Sequence, residues 1–542
     1  MFTLLLSSCL ALLASDDRNP NIVWISVEDM SPWIAPYGDD TVPTPNLDRL
    51  AREGVRYANA HANTPVCAPA RSTLITGMYA TTIGSMHMRT GNPSGAALER
   101  DPNAYDDIPD YEAVPPAGVR CFTEYLREAG YHCTNRSKQD YQFTAPVTAW
   151  DASGGRAHWR QRGKGRPFFA VFNLTGTHES GVFPDRRRAA RIADPGTVRV
   201  PPYYPDTPLV RADIARTYDN IAAMDDGVGT IIDQLEDGGL LDETVVVFFS
   251  DHGVGLPRGK RSIYASGTHV PLIIRWPDGR GAGSVEDRAV AFVDFAPTML
   301  SIAGVPVPDH LQGHVFAGEH ADPPKPHVFI NADRMDSITD RTRAVTDGRY
   351  RYVRNGMTDR PRLYPVAYAE NIPMMADLHA LRLSGEWTAE QWQMVSPTKP
   401  AEELYDRQRD PHEVVNRIDD PALTAIRAEF SAALDAWIER TGDLGRLPEA
   451  TMVRERLWNG ASEQPRTGRP RVRRATDGAV ILSCPTEGAS IGYRFGEDGP
   501  WSIWTGPFRV PDGVTVTVVA HRIGHRPSEL VRLHAGGVDP AP

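Results

Sequence analysis

Stretches of mostly apolar residues, without polar alternation, recur along the first half of the chain, and each one is followed by polar residues. Asn21–Val27, Phe168–Leu174 and Thr244–Ser250 are rich in β-branched and aromatic residues, and each is predicted to form a buried strand. Residues 269–276 are predicted to form a further strand. A strand without polar alternation is covered on both faces, so this pattern indicates a parallel sheet between layers of helices.

Helical patterns lie between these strands. A helix is predicted from Thr44, its N-cap, through Pro45 in the first turn to Gly54 at its end. Amphipathic segments at 212–235 and 294–303 predict two more helices. The alternation predicts an α/β fold whose mostly parallel sheet is sandwiched by helices, and functional groups are then expected beyond the carboxyl ends of the strands.

The pattern changes from about residue 324. Residues 343–354 are predicted to form a hairpin around Asp347-Gly348, and residues 420–441 a closing helix. Residues 464–474 are rich in Pro, Gly and Arg and are predicted to be a linker, followed by the short strands of a small β-sandwich. The predicted domains are an α/β domain at 20–323, an α+β C-terminal subdomain at 324–463 and the β-sandwich at 475–536.

The first residues predict export. Residues 1–15 (MFTLLLSSCLALLAS) are short and apolar, as in a signal peptide, so a periplasmic or secreted protein is expected. Leu6-Ser7-Ser8-Cys9 resembles a lipoprotein box, but few apolar residues precede it, and lipid anchoring is the less favoured alternative. No later run reaches the roughly 18 apolar residues of a membrane span, so no transmembrane segment is predicted.

Composition and charge limit the classes of molecule that the protein is expected to bind. The 542 residues are 41% hydrophobic and 23% charged, as in a globular protein, and the net charge of -11 argues against a nucleic-acid partner. An anionic substrate is still compatible, because local Lys and Arg side chains set the field of a cleft. Cys121 and Cys133 either pair in an oxidising compartment or are two free core thiols.

The most specific motif is Cys67-Ala68-Pro69-Ala70-Arg71, followed by Ser72-Thr73-Leu74-Ile75-Thr76-Gly77. With it the chain resembles the formylglycine-dependent sulfatases of the alkaline-phosphatase superfamily, whose motif is Cys-x-Pro-x-Arg. The resemblance implies that a formylglycine-generating enzyme oxidises Cys67 to formylglycine (3-oxoalanine). One oxygen of the hydrated aldehyde then attacks sulfur, and the other later expels sulfate. Taken alone, the motif is equally compatible with a buried Cys before a helix.

Two acid pairs extend the resemblance. Glu28-Asp29 follows the first strand, where members of the family usually carry Asp-Asp, and Asp251-His252 follows a later one, where they carry Asp-Asn or Asp-His. The resemblance implies that these four residues, with the modified Cys67, hold one divalent ion. Oxygen ligands suit Ca²⁺, whereas the histidine nitrogen keeps Mn²⁺ or Mg²⁺ open. Taken singly, each acid pair would more often be a helix cap or a solvated turn.

Cations complete the implied site. By the resemblance, Arg71 stabilises the hydrated aldehyde, Lys260 contacts sulfate, and Lys138 binds sulfate in a stretch where Asp140 replaces the family's usual His. His178, in Gly176-Thr177-His178-Glu179, is the candidate general acid, although a lone strand-end His is more often structural. Two further residues, His87 and Arg89, are candidates for substrate binding or belong to a plain loop.

The resemblance runs from about residue 21 to 441 and includes Glu403-Leu404-Tyr405-Asp406. The Val27-Glu28-Asp29-Met30-Ser31-Pro32 opening is nearest the heparan N-sulfatase-like and arylsulfatase branch, which implies hydrolysis of sulfate esters or sulfamates on a sulfated glycan. The alternative is a phosphonate monoester or phosphodiester hydrolase with the same modified residue. A non-catalytic glycan-binding relative is disfavoured, because a binder needs no nucleophile.

Overall fold

The structure is a computed structural model, and it describes residues 19–90, 107–186, 189–336, 338–363, 365–535 and 537–538. The predicted signal peptide at 1–15 and Cys9 lie outside the described residues. Among the described helices, none combines the length and the apolar character that crossing a membrane requires.

The strands of the described residues are β1 (Asn21–Val27), β2 (Val55–Tyr57), β3 (Ala60–His61), β4 (His132–Arg136), β5 (Ala152–Ser153), β6 (Phe168–Leu174), β7 (Thr244–Ser250), β8 (Leu272–Arg275), β9 (Val285–Glu286), β10 (Val290–Ala291), β11 (Val328–Ala332), β12 (Thr342–Thr346), β13 (Tyr350–Asn355), β14 (Glu402–Asp406), β15 (Arg471–Arg474), β16 (Val480–Ser483), β17 (Ser490–Phe495), β18 (Ser502–Ile503), β19 (Val516–His521), β20 (Val531–His534) and β21 (Gly537–Val538). The α-helices are α1 (Pro45–Glu53), α2 (Cys67–Thr76), α3 (Ala80–Ile83), α4 (Phe122–Glu128), α5 (Pro208–Asp237), α6 (Ala265–Thr268), α7 (Phe295–Ile302), α8 (Met375–Ser384), α9 (Ala389–Val395), α10 (Thr424–Thr441) and α11 (Glu449–Thr451).

The central sheet has eight strands in the order β5-β4-β6-β1-β7-β8-β2-β9. The five strands from β5 to β7 are parallel, and β8 is antiparallel to both of its neighbours. Along β1, Ile22 and Trp24 pack in one core with α2, α4 and α7, whereas Val23 and Ile25 pack in another with α1 and α5. Helices on both faces explain why Ile22–Ile25, the middle of the strand, is apolar at every position.

Most predicted elements are confirmed. β1, β6 and β7 have the predicted bounds, and α1 runs from Pro45 to Glu53. The prediction of a strand over 269–276 is wrong at its start, because β8 begins only at Leu272. His269 caps α6, and Pro271 has no backbone N–H to give to a ladder.

From β11 onward the described strands form only antiparallel sheets. One has the order β11-β12-β13-β14 and includes the predicted hairpin, and α10 is the predicted closing helix. Two smaller sheets, β15-β16 and β18-β17-β19-β20-β21, share one apolar core. The linker prediction is wrong for its last four residues, because Arg471–Arg474 pairs with β16. The domain boundaries remain predictions.

The cysteines of the described residues form no disulfide. Cys121 and Cys133 are both buried and free, which agrees with the alternative of two free core thiols. Burial raises the pKa of both thiols well above the ordinary value, so they are protonated core side chains.

Candidate active site

The site lies where β1, β6 and β7 end at the same level. Val27 is in register with Leu174 on one side and with Ser250 on the other. The residues that follow therefore meet at one edge: the Asp29 backbone N–H donates to Oδ1 of Asp251 over 3.1 Å. Asp29 adopts a left-handed backbone (φ 53°), which an aspartate tolerates better than most residues and which turns the chain sharply after the strand.

Helix α2 brings the Cys67 motif to this edge. All ten of its residues are buried, and Cys67 and Arg71 lie one turn apart on one face. The Cys67 Sγ is 3.2 Å from Nε2 of His252. Nε of Arg71 donates to Asp251 over 3.2 Å, and its Nη1 donates to Oδ1 of Asn173 over 2.8 Å.

His252 is the centre of the acidic cluster. Its Nε2 lies 3.2 Å from Oδ1 of Asp29 and 3.5 Å from Oδ1 of Asp251. Burial favours the neutral imidazole, but the charges around it, with Asp251 the largest, outweigh burial and raise the pKa of His252 to about 9. The cluster therefore attracts positive charge strongly.

Lys260 is held by two buried carboxylates. Its Nζ lies 2.8 Å from Oδ2 of Asp29 and 3.0 Å from Oε1 of Glu179. Glu179 also accepts two hydrogen bonds from the Arg261 guanidinium, at 2.7 and 2.8 Å. Burial opposes ionisation of Asp29, but Lys260 and the histidines outweigh it and lower the pKa of Asp29.

Lys138 and His178 approach the same oxygen of Glu28. Nζ of Lys138 lies 3.0 Å from Glu28 Oε2, and Nε2 of His178 lies 3.8 Å from it. Both side chains are 21% exposed and Glu28 only 4%, so they stand at the mouth of the site above a buried acid. Asp140 lies 3.8 Å from Lys138 and accepts a hydrogen bond from Arg89, which is at the outer rim.

The two predicted substrate-binding residues have different surroundings. Arg89 is 41% exposed beside the mouth. His87 is buried: its Nδ1 accepts from the Arg334 backbone N–H, and its Nε2 lies 3.9 Å from Glu449. Burial lowers the pKa of His87 to about 4, so its imidazole is neutral. The roles of both residues in binding remain predictions.

The predictions from sequence missed two residues of the site, Asn173 and Glu179. Asn173 accepts from Arg71 and donates to Oδ1 of Asn135 over 2.9 Å, so it orients the guanidinium. Glu179 fixes Lys260, and its backbone N–H donates to Asp29 over 2.8 Å. The sequence feature that could have identified them is their position: Asn173 lies near the end of the apolar run that forms β6, and Glu179 follows that run.

Comparisons with known proteins identify the family. The model of the Sulfatase family matches residues 20–157 and 156–305, more than half of the chain. The chain belongs to the sulfatase family. It is 42% identical to an ulvan-active sulfatase of Formosa agariphila over 95% of this chain and 91% of that one. It is 27% identical to the N-sulphoglucosamine sulphohydrolase of Homo sapiens over 75% of this chain and 87% of that one.

A solved structure supports the same fold. The structure of a 2-O GAG sulfatase superposes with a TM-score of 0.57 at 18% identity, covering 79% of this chain and 94% of that one. The chain is thus a sulfatase with the predicted alkaline-phosphatase-like α/β fold, and its enzyme class is a sulfuric ester hydrolase.

The donor groups of this sulfatase fit a divalent cation. Ligand atoms of Glu28, Asp29, Cys67 and His178 lie within 4.8 Å of one another, and so do those of Cys67, Asp251 and His252. The carboxylate oxygens suit Ca²⁺, Mn²⁺ or Mg²⁺, and each group also offers one imidazole nitrogen, from His178 or from His252. Sulfatases as a family use such an ion together with formylglycine.

Proposed function

We propose that this sulfatase removes sulfate from a sulfated glycan such as ulvan, with formylglycine at Cys67 as its nucleophile. The observation that carries the proposal is the pairing of 42% identity to an ulvan-active sulfatase, over nearly the full length of both chains, with Cys67 placed 3.2 Å from His252 in the acidic cluster. The phosphonate monoester alternative rests on a shared fold alone, with 17% identity to a phosphonate monoester hydrolase of Agrobacterium radiobacter.

We propose that Glu28, Asp29, Asp251 and His252 hold the cation, with Ca²⁺ favoured by the three carboxylates. A bound divalent ion supplies polarisation of the sulfate group and favours ionisation of the hydrated formylglycine. Lys260 ion-pairs directly with Asp29, so it fixes this carboxylate in place. Arg71 in turn restrains Asp251 and stays one helical turn from the nucleophile.

At the mouth, Lys138 and His178 are placed to bind the sulfate oxygens and the leaving group. Lys138 supplies a fixed positive charge to the anionic substrate. The Ser180 backbone N–H donates to Nδ1 of His178 over 3.3 Å. Nε2 of the same ring lies 3.2 Å from Nζ of Lys260 and 3.8 Å from Oε2 of Glu28, so the imidazole is held at the mouth. His178 is the proposed donor of a proton to the sugar oxygen, or sulfamate nitrogen, as it departs.

The maturation of the site is also proposed: a formylglycine-generating enzyme converts Cys67, and the signal peptide directs the chain to the periplasm or the medium. Sulfate release from ulvan and from an N-sulfoglucosamine glycan, and phenol release from an aryl phosphodiester, are measured in parallel to test the proposal. Release from ulvan above the other two supports it. Phosphodiesterase activity without sulfate release from either glycan contradicts it.

A further inference from the structure

Two rows of side chains with different chemistry lead outward from Glu28. Along one row, burial decreases through Lys138 to Arg89, which is 41% exposed. Along the other, it decreases through His178, 21% exposed, to Tyr368, which is 37% exposed. One row is therefore charged, and the other ends in an aromatic ring.

Tyr368 is packed directly against the mouth. Its ring centroid lies 6.1 Å from that of His178 and 5.2 Å from that of Phe183, tilted by 60° and 57°. Its backbone is fixed from both sides, because Val366 and Ile372 are buried at 2% and 1% exposure. Its exposure is thus built into an anchored turn, which also includes the hydrogen bond from Asn371 N–H to the Tyr368 carbonyl.

An exposed aromatic ring held beside a polar catalytic group suits one kind of ligand. A sugar ring presents C–H groups on one face, which pack on an aromatic ring, and hydroxyl groups at its edge, which bind charged side chains. The Tyr368 ring lies 6.1 Å from the ring of His178, within reach of a sugar whose sulfate is held at His178 and Lys138. Residue 368 also lies outside the ranges that match the family model.

We propose that Tyr368 is the platform on which the sulfated sugar stacks, and that it determines the affinity of this enzyme for its glycan. The inference rests on the proposed function, because it takes a sugar as the group that bears the sulfate. The ring acts through packing, so its hydroxyl group is dispensable.

The test uses binding, so that it does not depend on turnover. In a Cys67→Ala background, calorimetry gives Kd for a sulfated ulvan oligosaccharide and for inorganic sulfate, with Tyr368→Ala, Tyr368→Phe or Trp387→Ala added. Trp387 is a matched control: it is 36% exposed in the same C-terminal segment, and its described ring contact is with Trp392. Wild-type sulfate release from the same oligosaccharide is measured separately and tests the proposed function.

We expect Tyr368→Ala to raise the oligosaccharide Kd about tenfold, a typical loss for one stacked aromatic contact, and to leave the Kd of inorganic sulfate unchanged. Tyr368→Phe and Trp387→Ala should stay near the parent. An unchanged oligosaccharide Kd, an equal loss for both ligands, or an equal loss in Tyr368→Phe overturns the platform. Failure of the wild type to release sulfate counts against the proposed function alone.

Discussion

Replacing Glu179 with Gln removes one negative charge from the buried network that holds Lys260. The Glu179 carboxylate is 1% exposed and contacts two cations, Arg261 at 2.7 Å and Lys260 at 3.0 Å. Removing one partner of a buried ion pair typically costs about 3–5 kcal/mol, because the remaining charge is left uncompensated. Since Gln keeps the shape and one acceptor oxygen, we expect a loss near the lower end, about 3 kcal/mol.

Glu53 provides a control with the same chemistry at the surface. It also contacts two arginines, Arg49 at 2.7 Å and Arg275 at 3.0 Å, but its side chain is 36% exposed. Exposed pairs contribute about 0.2–1 kcal/mol, so Glu53→Gln should change stability little. The comparison isolates burial from the number of charge partners.

Differential scanning calorimetry and steady-state kinetics are the assays. For Glu179→Gln, about 3 kcal/mol corresponds to a fall in Tm of about 5 °C or more in a domain of this size. We also expect kcat/KM to fall about 10–100-fold, as is typical when a residue that orients a metal ligand or cation is lost. Equal Tm values for the two variants, or full activity in Glu179→Gln, would refute the reasoning.

Three further predictions concern the nucleophile, the ion and pH. Cys67→Ala should abolish turnover and leave the circular dichroism spectrum unchanged. Cys67→Ser should act at most once per active site, and repeated turnover by this variant would contradict an aldehyde hydrate as the nucleophile. Chelation should abolish activity, and elemental analysis with add-back should favour Ca²⁺ over Mn²⁺ and Mg²⁺; full activity in metal-free protein would exclude the ion. Burial raises the pKa of Glu179, but Arg261 and Lys260 outweigh it and hold the value at about 2, below the ordinary 4.5. The stability that Glu179 adds over Gln should therefore be complete above pH 4.5 and be lost as the pH falls towards 2, which urea titrations across that range would check.

The sequence predicts the fold best where the pattern of residues along a strand follows directly from what covers that strand. β1, β6 and β7 are largely apolar because helices cover both faces of the sheet. Glu28-Asp29 and Asp251-His252 come directly after the ends of β1 and β7. The predicted strand is longer than β8 because the run of apolar residues includes Pro271. The ladder of backbone hydrogen bonds cannot include its nitrogen, which carries no hydrogen.

The parts that sequence could not predict depend on partners distant in the chain. Asn173 serves the site only because Arg71, 102 positions earlier, donates to it. His87 and Arg89 are two residues apart in the chain, but their neighbours differ. The His87 ring lies beside Glu449, and the Arg89 guanidinium lies beside Asp140. Tyr368 has no motif around it, and its place beside His178 is visible only in three dimensions.

The central claim is that catalysis depends on conversion of Cys67 to formylglycine. Its most direct test combines two numbers from the same preparations, made with different amounts of the maturation enzyme. Mass spectrometry of the Cys67 peptide gives the converted fraction from its loss of about 18 Da, and ion chromatography gives the rate of sulfate release from ulvan. We predict that the rate is proportional to the converted fraction and is zero without conversion. Sulfate release at full rate from protein whose Cys67 is an unmodified thiol would contradict the account.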